Sequence, residues 1–220
     1  MKASNLISSS IISLHPEDDG NRGIELMEDM RVHHLPIVRD NFYLGIISEN
    51  EIMSWDNTDE FINEHLDELN SPSIKNSQHL FDIIEEVEKH SLSIIPVIDE
   101  KNYYLGSITN RKLLYTIAKS TAVQSKGSMV VLKIKENNYT LNEITRIVES
   151  NNTKILSSYI TSSVGEEYIE LTIKLNRLDI SLILKDFERF DYIIKTSYSK
   201  DNDENDFLGR YESLMRFLNP

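Results

Sequence analysis

The stretch HHLPIVRDNFYLGIIS at residues 33–48 decides the fold, because the chain repeats its pattern at residues 93–109 as SIIPVIDEKNYYLGSIT. Each copy predicts a short apolar strand, a polar turn, a second strand that contains glycine, and a hydroxyl residue that opens a helix. This order excludes the helical hairpins of the common solenoid repeats. A unit this small cannot bury its own apolar face. We therefore expect the two copies to pack on each other around a cleft whose walls carry equivalent residues.

The segments around the two copies also predict equivalent elements. Apolar residues spaced three and four apart over 24–30 and 80–87 predict a helix ahead of each strand pair, and Ser77 is a candidate N-cap for the second. Residues 58–69 predict a connecting helix after the first pair, and residues 110–119 predict its counterpart after the second. The two copies thus predict one supersecondary unit built twice.

The second half of the chain has a different pattern of apolar residues. Its apolar patterns predict strands at 129–135, 155–161, 168–175 and 192–198. Two helices separate them: one begins with a capping box of Thr140 and Glu143, and the other covers about 179–190. This order of strand, helix, strand, strand, helix, strand is that of a ferredoxin-like unit. The predicted fold class is therefore α+β or α/β, with a duplicated pair followed by a ferredoxin-like domain.

Composition changes mark the predicted domains, which are residues 1–70, 71–122 and 129–220. Small polar residues between 120 and 128 predict a flexible joint. A last helix is predicted over 207–218, with a wide apolar stripe. That stripe has two interpretations, since the helix could fold back onto its own domain or form the seam of a dimer.

The charge balance restricts the partners. The chain has 220 residues and a formal net charge of -13, which argues against nucleic acid because binding to its backbone depends on Lys and Arg. There is no cysteine, so disulfides, thiolate metal sites and cysteine nucleophiles are excluded. No apolar run is long enough to predict a membrane span or a secretory signal. We expect a soluble, cytoplasmic protein without a membrane or nucleic-acid partner.

The duplicated pattern resembles a tandem pair of CBS domains, the regulatory module of the cystathionine beta-synthase type. The resemblance covers residues 1–119 and rests on both copies of the strand, turn, glycine strand and helix. It implies one compact pseudo-symmetric module, frequent association of modules in pairs, and clefts that often hold adenosine-containing ligands. Residues 129–198 resemble an ACT-type domain, and the combination is similar to acetoin-utilisation-type regulatory proteins. The turn at 135–139 lacks the glycine of ligand-binding ACT domains.

The nucleotide signature of this family is Ser or Thr followed three residues later by Asp. Ser48 and Glu51 hold these positions in the first copy. The resemblance implies that Ser48 faces phosphate and that Glu51 accepts the ribose hydroxyls. It implies that the base contacts backbone around Leu35, Pro36, Ile95 and Pro96. The same Ser-x-x-Glu pattern is that of a helix capping box, which we interpret as its main role.

The second copy departs from the signature, because Lys112 stands where the family has an acid. An ammonium group cannot accept a hydrogen bond from ribose, so standard adenosine docking is lost there. Lys112 can be an ordinary exposed lysine. Alternatively, Thr109, Arg111 and Lys112 meet a phosphate at the helix N-terminus, where free backbone N–H groups favour an anion.

These observations lead to one hypothesis and one rival. The hypothesis is a non-enzymatic regulatory protein in which the CBS pair senses AMP, ADP, ATP or another adenosyl ligand, while the ACT-like domain dimerises or relays the response. The rival is a scaffold that has lost its ligand and keeps the fold for homo-oligomerisation. The six histidines show no recurring metal-ligand spacing, and no phosphate loop or nucleophile elbow is present. We therefore predict neither a metal nor a catalytic site.

Overall fold

The computed structural model describes residues 1–8, 11–161 and 167–198. The chain divides into two compact units, Met1–Thr116 and Ile117–Pro220. This mixture of helices and mainly antiparallel sheets confirms the predicted α+β or α/β class. The finer division of the first half at residue 70 stays a prediction.

The first unit contains the duplicated elements in the predicted order. Its first copy consists of α1 (Gly20–Met30), β1 (His34–Arg39), β2 (Phe42–Ser48) and α2 (Glu49–Met53). Its second copy consists of β3 (Ile74–Lys75), α3 (Leu80–Lys89), β4 (Ile94–Ile98), β5 (Tyr104–Thr109) and α4 (Asn110–Ser120). Strand β1 pairs antiparallel with β2, and β4 pairs antiparallel with β5. Both pairs have a register shift at the same place, Ile37/Val38 and Val97/Ile98. The duplication seen in the sequence is therefore a duplication of backbone geometry.

The two copies share one hydrophobic core. Leu35, Ile37, Ile95 and Val97 are fully buried in it, together with residues from α1 and α3. The leading segment of each copy also bonds to the glycine strand of the other: Ser8 N donates to the carbonyl of Ser107 at 2.8 Å. In the same way, Ile46 N donates to the carbonyl of Asn70 at 3.0 Å. The prediction that the copies pack on each other is confirmed.

The strand turns of the two copies also meet. Tyr43 N donates to the carbonyl of Asn102 at 3.2 Å, and Tyr104 N donates to the carbonyl of Asn41 at 2.7 Å. Both asparagines adopt φ of 66°, a left-handed conformation that asparagine tolerates better than most residues. This reciprocal pairing fixes the position of one hairpin against the other.

Two local predictions in this unit are wrong. The connecting segment is a 3-10 helix, Ile62–Glu68, rather than a helix from residue 58. Its conformation is held by His65, which stacks on Trp55 with ring centroids 4.0 Å apart and contacts a Glu60 carboxylate oxygen at 2.9 Å. The N-cap of α3 is His79 rather than Ser77: its Nδ1 accepts from Phe81 N, and Asp82 accepts from His79 N at 2.9 Å.

The second unit contains β6 (Met129–Lys135), α5 (Leu141–Ser150), β7 (Ile155–Thr161), β8 (Tyr168–Leu175), α6 (Ser181–Arg189) and β9 (Ile193–Tyr198). The sheet order is β7-β8-β6-β9, and every neighbouring pair is antiparallel. Alternate residues of β6 and β8 pack with α5 and α6 in a separate core. The predicted order of strands and helices is the observed one.

The predicted capping box of α5 is not formed. Thr140 occupies the N-cap, but its side chain makes no capping hydrogen bond. The Glu143 carboxylate instead accepts from the Tyr192 hydroxyl at 2.7 Å, so a tertiary contact has taken the place of the local one. The helix predicted over 207–218 lies outside the described residues. The helices in the described ranges do not have the length and hydropathy of a membrane span.

Candidate ligand-binding cleft

A cleft of about 890 Å³ lies in the first unit, where α4 begins. We call it the basic cleft. One part of its lining comes from Ser8, Ile11 and residues 29–32, at the N-terminal segment and the end of α1. The other part comes from Ser93, residues 109–112 and Tyr115. Clefts of roughly 300–1,000 Å³ are the usual size for small-molecule sites. The volume is therefore sufficient for a ligand as large as a nucleotide.

The start of α4 is held by side chains that also face the cleft. Thr109 Oγ1 accepts from Lys112 N at 3.2 Å, which makes Thr109 the cap of the helix. Asn110 Nδ2 donates to the carbonyl of Leu92 at 2.8 Å and so ties the helix to the segment ahead of β4. The first turn of α4 carries no acidic residue. Its free N–H groups and partial positive charge are consequently not neutralised by the helix itself.

The basic cleft carries a local excess of positive charge in an acidic chain. Three cations line it, Arg31, Arg111 and Lys112, against the single acid Asp29. None of the three cations forms an ion pair with a residue that the structure describes. Arg31 is the C-cap of α1 and adopts φ of 55°, so a left-handed turn brings this side chain to the lining. The arrangement favours an anion as occupant.

At the equivalent position of the first copy, the polar groups are hydrogen-bonded to each other. One Glu51 carboxylate oxygen accepts from both the backbone N and the hydroxyl of Ser48, each at 2.6 Å. Ser48 Oγ in turn accepts from Glu51 N at 3.1 Å. The interpretation of Ser48 and Glu51 as a capping box is confirmed. Nearby, His33 Nδ1 lies 2.9 Å from a Glu49 carboxylate oxygen, so a second acid of this turn also has a partner.

The remaining predicted site residues lie in the shared core. Leu35, Pro36, Ile95 and Pro96 are buried, and none of them lines the basic cleft. The carbonyl of Pro36 accepts from Leu14 N at 2.8 Å. Of the predicted set, the structure therefore brings Thr109, Arg111 and Lys112 together in one cleft. A nucleotide site at Ser48 and Glu51 stays a prediction.

A comparison with protein-family models matches the CBS domain model twice, at residues 3–57 and 67–119. Residues 3–119 are a tandem pair of CBS domains. The two matches coincide with the two copies of the supersecondary unit, so the family match and the observed duplication describe the same division of this region. The two CBS domains are called the CBS pair below.

A curated relative of the CBS pair is homoserine O-acetyltransferase of Methanocorpusculum labreanum, 28% identical over 118 residues. This match covers 51% of the chain and 23% of the relative, so the chain spans about a quarter of the length of the curated relative that it matches.

The solved structures to which the chain is similar include a CBS domain pair/ACT domain protein from Thermotoga maritima. It has a TM-score of 0.48 and 11% identity over 54% of this chain and 98% of the other. A putative acetoin utilization protein from Vibrio cholerae has a TM-score of 0.47 and 19% identity over 56% and 95%. CBSX2 in complex with AMP has a TM-score of 0.44 and 15% identity over 54% and 96%.

Sequence reasoning missed part of the basic cleft. It did not include Ser8, Ile11, Asp29, Arg31, Ser93 or Tyr115. In the structure, Arg31 and its counterpart Ser91 in the second copy both have positive φ, 55° and 51°. The turn that ends the first helix of each copy is therefore a repeated feature, but Arg and Ser at these positions give no sequence signal for it.

The two halves of the CBS pair are also joined beside the basic cleft. Ser93 Oγ accepts from His33 N at 2.9 Å, and His34 Nδ1 accepts from Ser93 N at 3.3 Å. Burial lowers the pKa of His34, Glu51 acts to raise it, and His33 acts to lower it further. The neutral imidazole fits these contacts, because Nδ1 must keep a free lone pair to accept them. His34 thus links the first copy to Ser93, a residue of the basic cleft.

Proposed function

We propose that the CBS pair is a non-enzymatic regulatory module that binds a phosphate-bearing adenosine ligand, such as AMP, ADP or ATP, in the basic cleft. The observation that carries this proposal is the group of three cations without ion-pair partners among the described residues, gathered around the start of α4. The chain as a whole has a net charge of -13, and this charge repels a polyphosphate. A local group of cations is what such a ligand requires.

The phosphate interacts with the start of α4. Backbone N–H groups at a helix N-terminus already favour an anion, and Lys112 and Arg111 add charge-assisted donors. The hydroxyl of Thr109 accepts from Lys112 N and still has its own O–H to donate. The guanidinium of Arg31 comes from the end of α1 and approaches the ligand from another element. These groups together can neutralise more than one phosphate charge.

The adenosine part of the proposal rests on the resemblance to CBS pairs, whose clefts often hold such ligands. Ile11 and Tyr115 supply apolar and aromatic surface in the same cleft, which suits a base. The cleft volume of about 890 Å³ leaves room for base, sugar and phosphates together.

A thermal-shift panel of AMP, ADP, ATP, adenosine and S-adenosylmethionine tests the proposal. A ligand at a hundred times its dissociation constant stabilises the folded state by about 2.7 kcal/mol. We expect phosphorylated ligands to raise the melting temperature, and Lys112→Ala to weaken their effect while leaving that of adenosine unchanged. Lys101→Ala, which removes an exposed lysine of the same copy outside the cleft, is the matched control.

The same panel separates the alternatives. If Glu51→Ala abolishes the response and Lys112→Ala does not, the ligand binds at the signature of the first copy instead. If no ligand shifts the melting temperature at millimolar concentration, the CBS pair is the ligand-free scaffold. The closed Ser48 and Glu51 pair favours that second function for the first copy, because its polar groups already satisfy each other.

For the second unit we propose an ACT-like role, in which it mediates homodimer formation or relays the state of the CBS pair. Its edge strands β7 and β9 expose large side chains, Tyr159 and Ile160 on one and Ile193 and Tyr198 on the other. Exposed apolar edge strands favour association with another chain. Light scattering of the full chain should give about twice 25.5 kDa. A mass of 25.5 kDa with and without ATP would contradict the dimer.

A further inference from the structure

One residue of the basic cleft has the wrong charge for a phosphate site. Asp29 lies in the last turn of α1, exposed, and it is the single acid of the lining. Its carboxylate forms no hydrogen bond and no ion pair with any residue in the described part of the chain. A carboxylate with both oxygens available, in a cleft whose other charged side chains carry donors only, is suited to accept hydrogen bonds from a ligand.

The start of α4 lacks such a carboxylate. Arg111 and Lys112 carry donors only, Thr109 Oγ1 already accepts from Lys112 N, and the Asn110 amide offers a single neutral oxygen. In the first copy the residue equivalent to Lys112 is the acid Glu51, so the substitution removes a carboxylate from this wall. The vicinal hydroxyls of a ribose are well matched to the two oxygens of one carboxylate, as in many nucleotide sites. A carboxylate that accepts from both hydroxyls of a ribose in the basic cleft therefore has to come from another element.

We propose that Asp29 is this acceptor and that it determines the specificity of the cleft for ribonucleotides. The inference rests on the proposed function, since it takes the ligand to be an adenosine phosphate. Asp29 repels the phosphates, whereas Arg111 and Lys112 attract them. This difference in charge fixes the orientation of the ligand in the cleft. The phosphates bind at the start of α4 and the ribose hydroxyls donate to the end of α1.

The test is a cycle of two ligands and two proteins, measured by calorimetry on the full chain. The ligands are ATP and 2′,3′-dideoxy-ATP, and the proteins are the wild type and Asp29→Ala. Because hydrogen bonds to a charged group are worth about tenfold or more in affinity, we expect the wild type to bind ATP at least about tenfold more tightly than the dideoxy analogue. Asp29→Ala should bind both equally.

The ratio of the two affinities is the decisive measurement, because removing Asp29 also removes a repulsion and can tighten the binding of either triphosphate. Glu28→Ala is the matched control: it deletes the neighbouring exposed acid of α1, which does not line the cleft, and it should keep the wild-type ratio. Circular dichroism of each variant checks that the helices are retained.

Three outcomes overturn the inference in distinguishable ways. Equal binding of both ligands by the wild type means that no residue binds the ribose hydroxyls. The proposed function is then retained without the inference. A wild-type ratio that persists in Asp29→Ala assigns the ribose contact to another residue. If the wild type binds neither ligand, the proposed function itself fails and the inference fails with it.

Discussion

The two copies of the CBS pair use the same helix start in different ways. In the first, the Ser48 hydroxyl caps α2 by accepting from Glu51 N, and the Glu51 carboxylate accepts from the backbone N and the hydroxyl of Ser48. The polar groups of this helix start are therefore hydrogen-bonded to each other. In the second, Thr109 caps α4 in the same manner, with N to Oγ distances of 3.1 Å and 3.2 Å in the two copies. The Lys112 side chain carries no acceptor, so it cannot accept from Thr109 as Glu51 accepts from Ser48. A single acid-to-base difference thus leaves one helix start self-contained and the other available to an anion.

Helix capping and phosphate binding compete for the same donors at a helix start, and the two copies differ in which of these roles their residues favour. A carboxylate that completes a capping box stabilises the fold, but it occupies the donors that a phosphate would use. A lysine at the same position gives up that stabilisation and leaves the donors free. We therefore expect the first copy to contribute to stability and propose the second as the copy that binds the ligand.

The largest effect is expected from the glycines that hold the leading segments against the two copies. A Cβ on Gly106 would lie 2.5 Å from Ile7 Cγ2, and its φ of 135° strains any side chain. Gly106→Ala should lower the free energy of unfolding by about 3 kcal/mol in urea denaturation. Gly45→Ala is the matched variant: its Cβ would lie 2.9 Å from Leu69 Cβ, but without the positive φ, so its loss should be smaller. Equal losses would contradict the role of backbone strain.

The next effect is expected from charge reversal in the basic cleft. Lys112→Glu places a like charge next to the phosphates and should weaken ATP binding about 100-fold by calorimetry. The same change gives Thr109 the reciprocal partner that Ser48 already has, and it should raise the free energy of unfolding by about 0.5 kcal/mol. Lys101→Glu makes the same charge change outside the cleft and should do neither. Unchanged ATP affinity in Lys112→Glu would remove Lys112 from the site.

A smaller effect is expected at the closed helix start of the first copy. Glu51→Ala removes the acceptor of two hydrogen bonds and should cost about 1 kcal/mol in chemical denaturation. Lys112→Ala at the equivalent position should cost less than about 0.5 kcal/mol, because the Lys112 side chain forms no hydrogen bond or ion pair within the described chain. The comparison between the copies would be wrong if the two variants lost equal stability.

The smallest effect is the pH dependence of the link between the copies. Because the pKa of His34 is lowered in the folded state, the unfolded chain binds more protons than the folded one. The contribution of His34 is therefore full above about pH 6.5 and is lost as the pH falls below that value. Denaturation of the wild type and His34→Gln between about pH 7.5 and 5.5 should show a steeper loss in the wild type. Parallel curves would exclude His34 as the cause.

The regular elements could be predicted from the sequence because their signals are local. Strand alternation gave the bounds of β6, β7 and β8 as observed, and the duplicated pattern predicted both strand pairs. Capping was less predictable, since any side chain within reach competes for the same groups. At α5 the carboxylate of Glu143 bonds to Tyr192, which is 49 residues away along the chain. The sequence around Thr140 contains no sign of that contact.

The sequence predicts only one side of the candidate site, the residues at the start of α4. Thr109, Arg111 and Lys112 follow each other along the chain, so their proximity needs no tertiary information. Asp29 and Arg31 reach the same cleft only because α1 of the first copy ends beside α4 of the second. That juxtaposition results from the packing of the shared core, and single-sequence patterns specify which faces are buried but not which helix ends meet.

The exchange of leading segments makes each copy structurally incomplete. The segment ahead of the first copy, at Ser8, bonds to β5 of the second, and the segment at Asn70 bonds to β2 of the first. A polypeptide with one copy would reproduce this exchange only by taking the segment from a second molecule, as an interlaced homodimer. The tandem arrangement makes the same mutual dependence intramolecular.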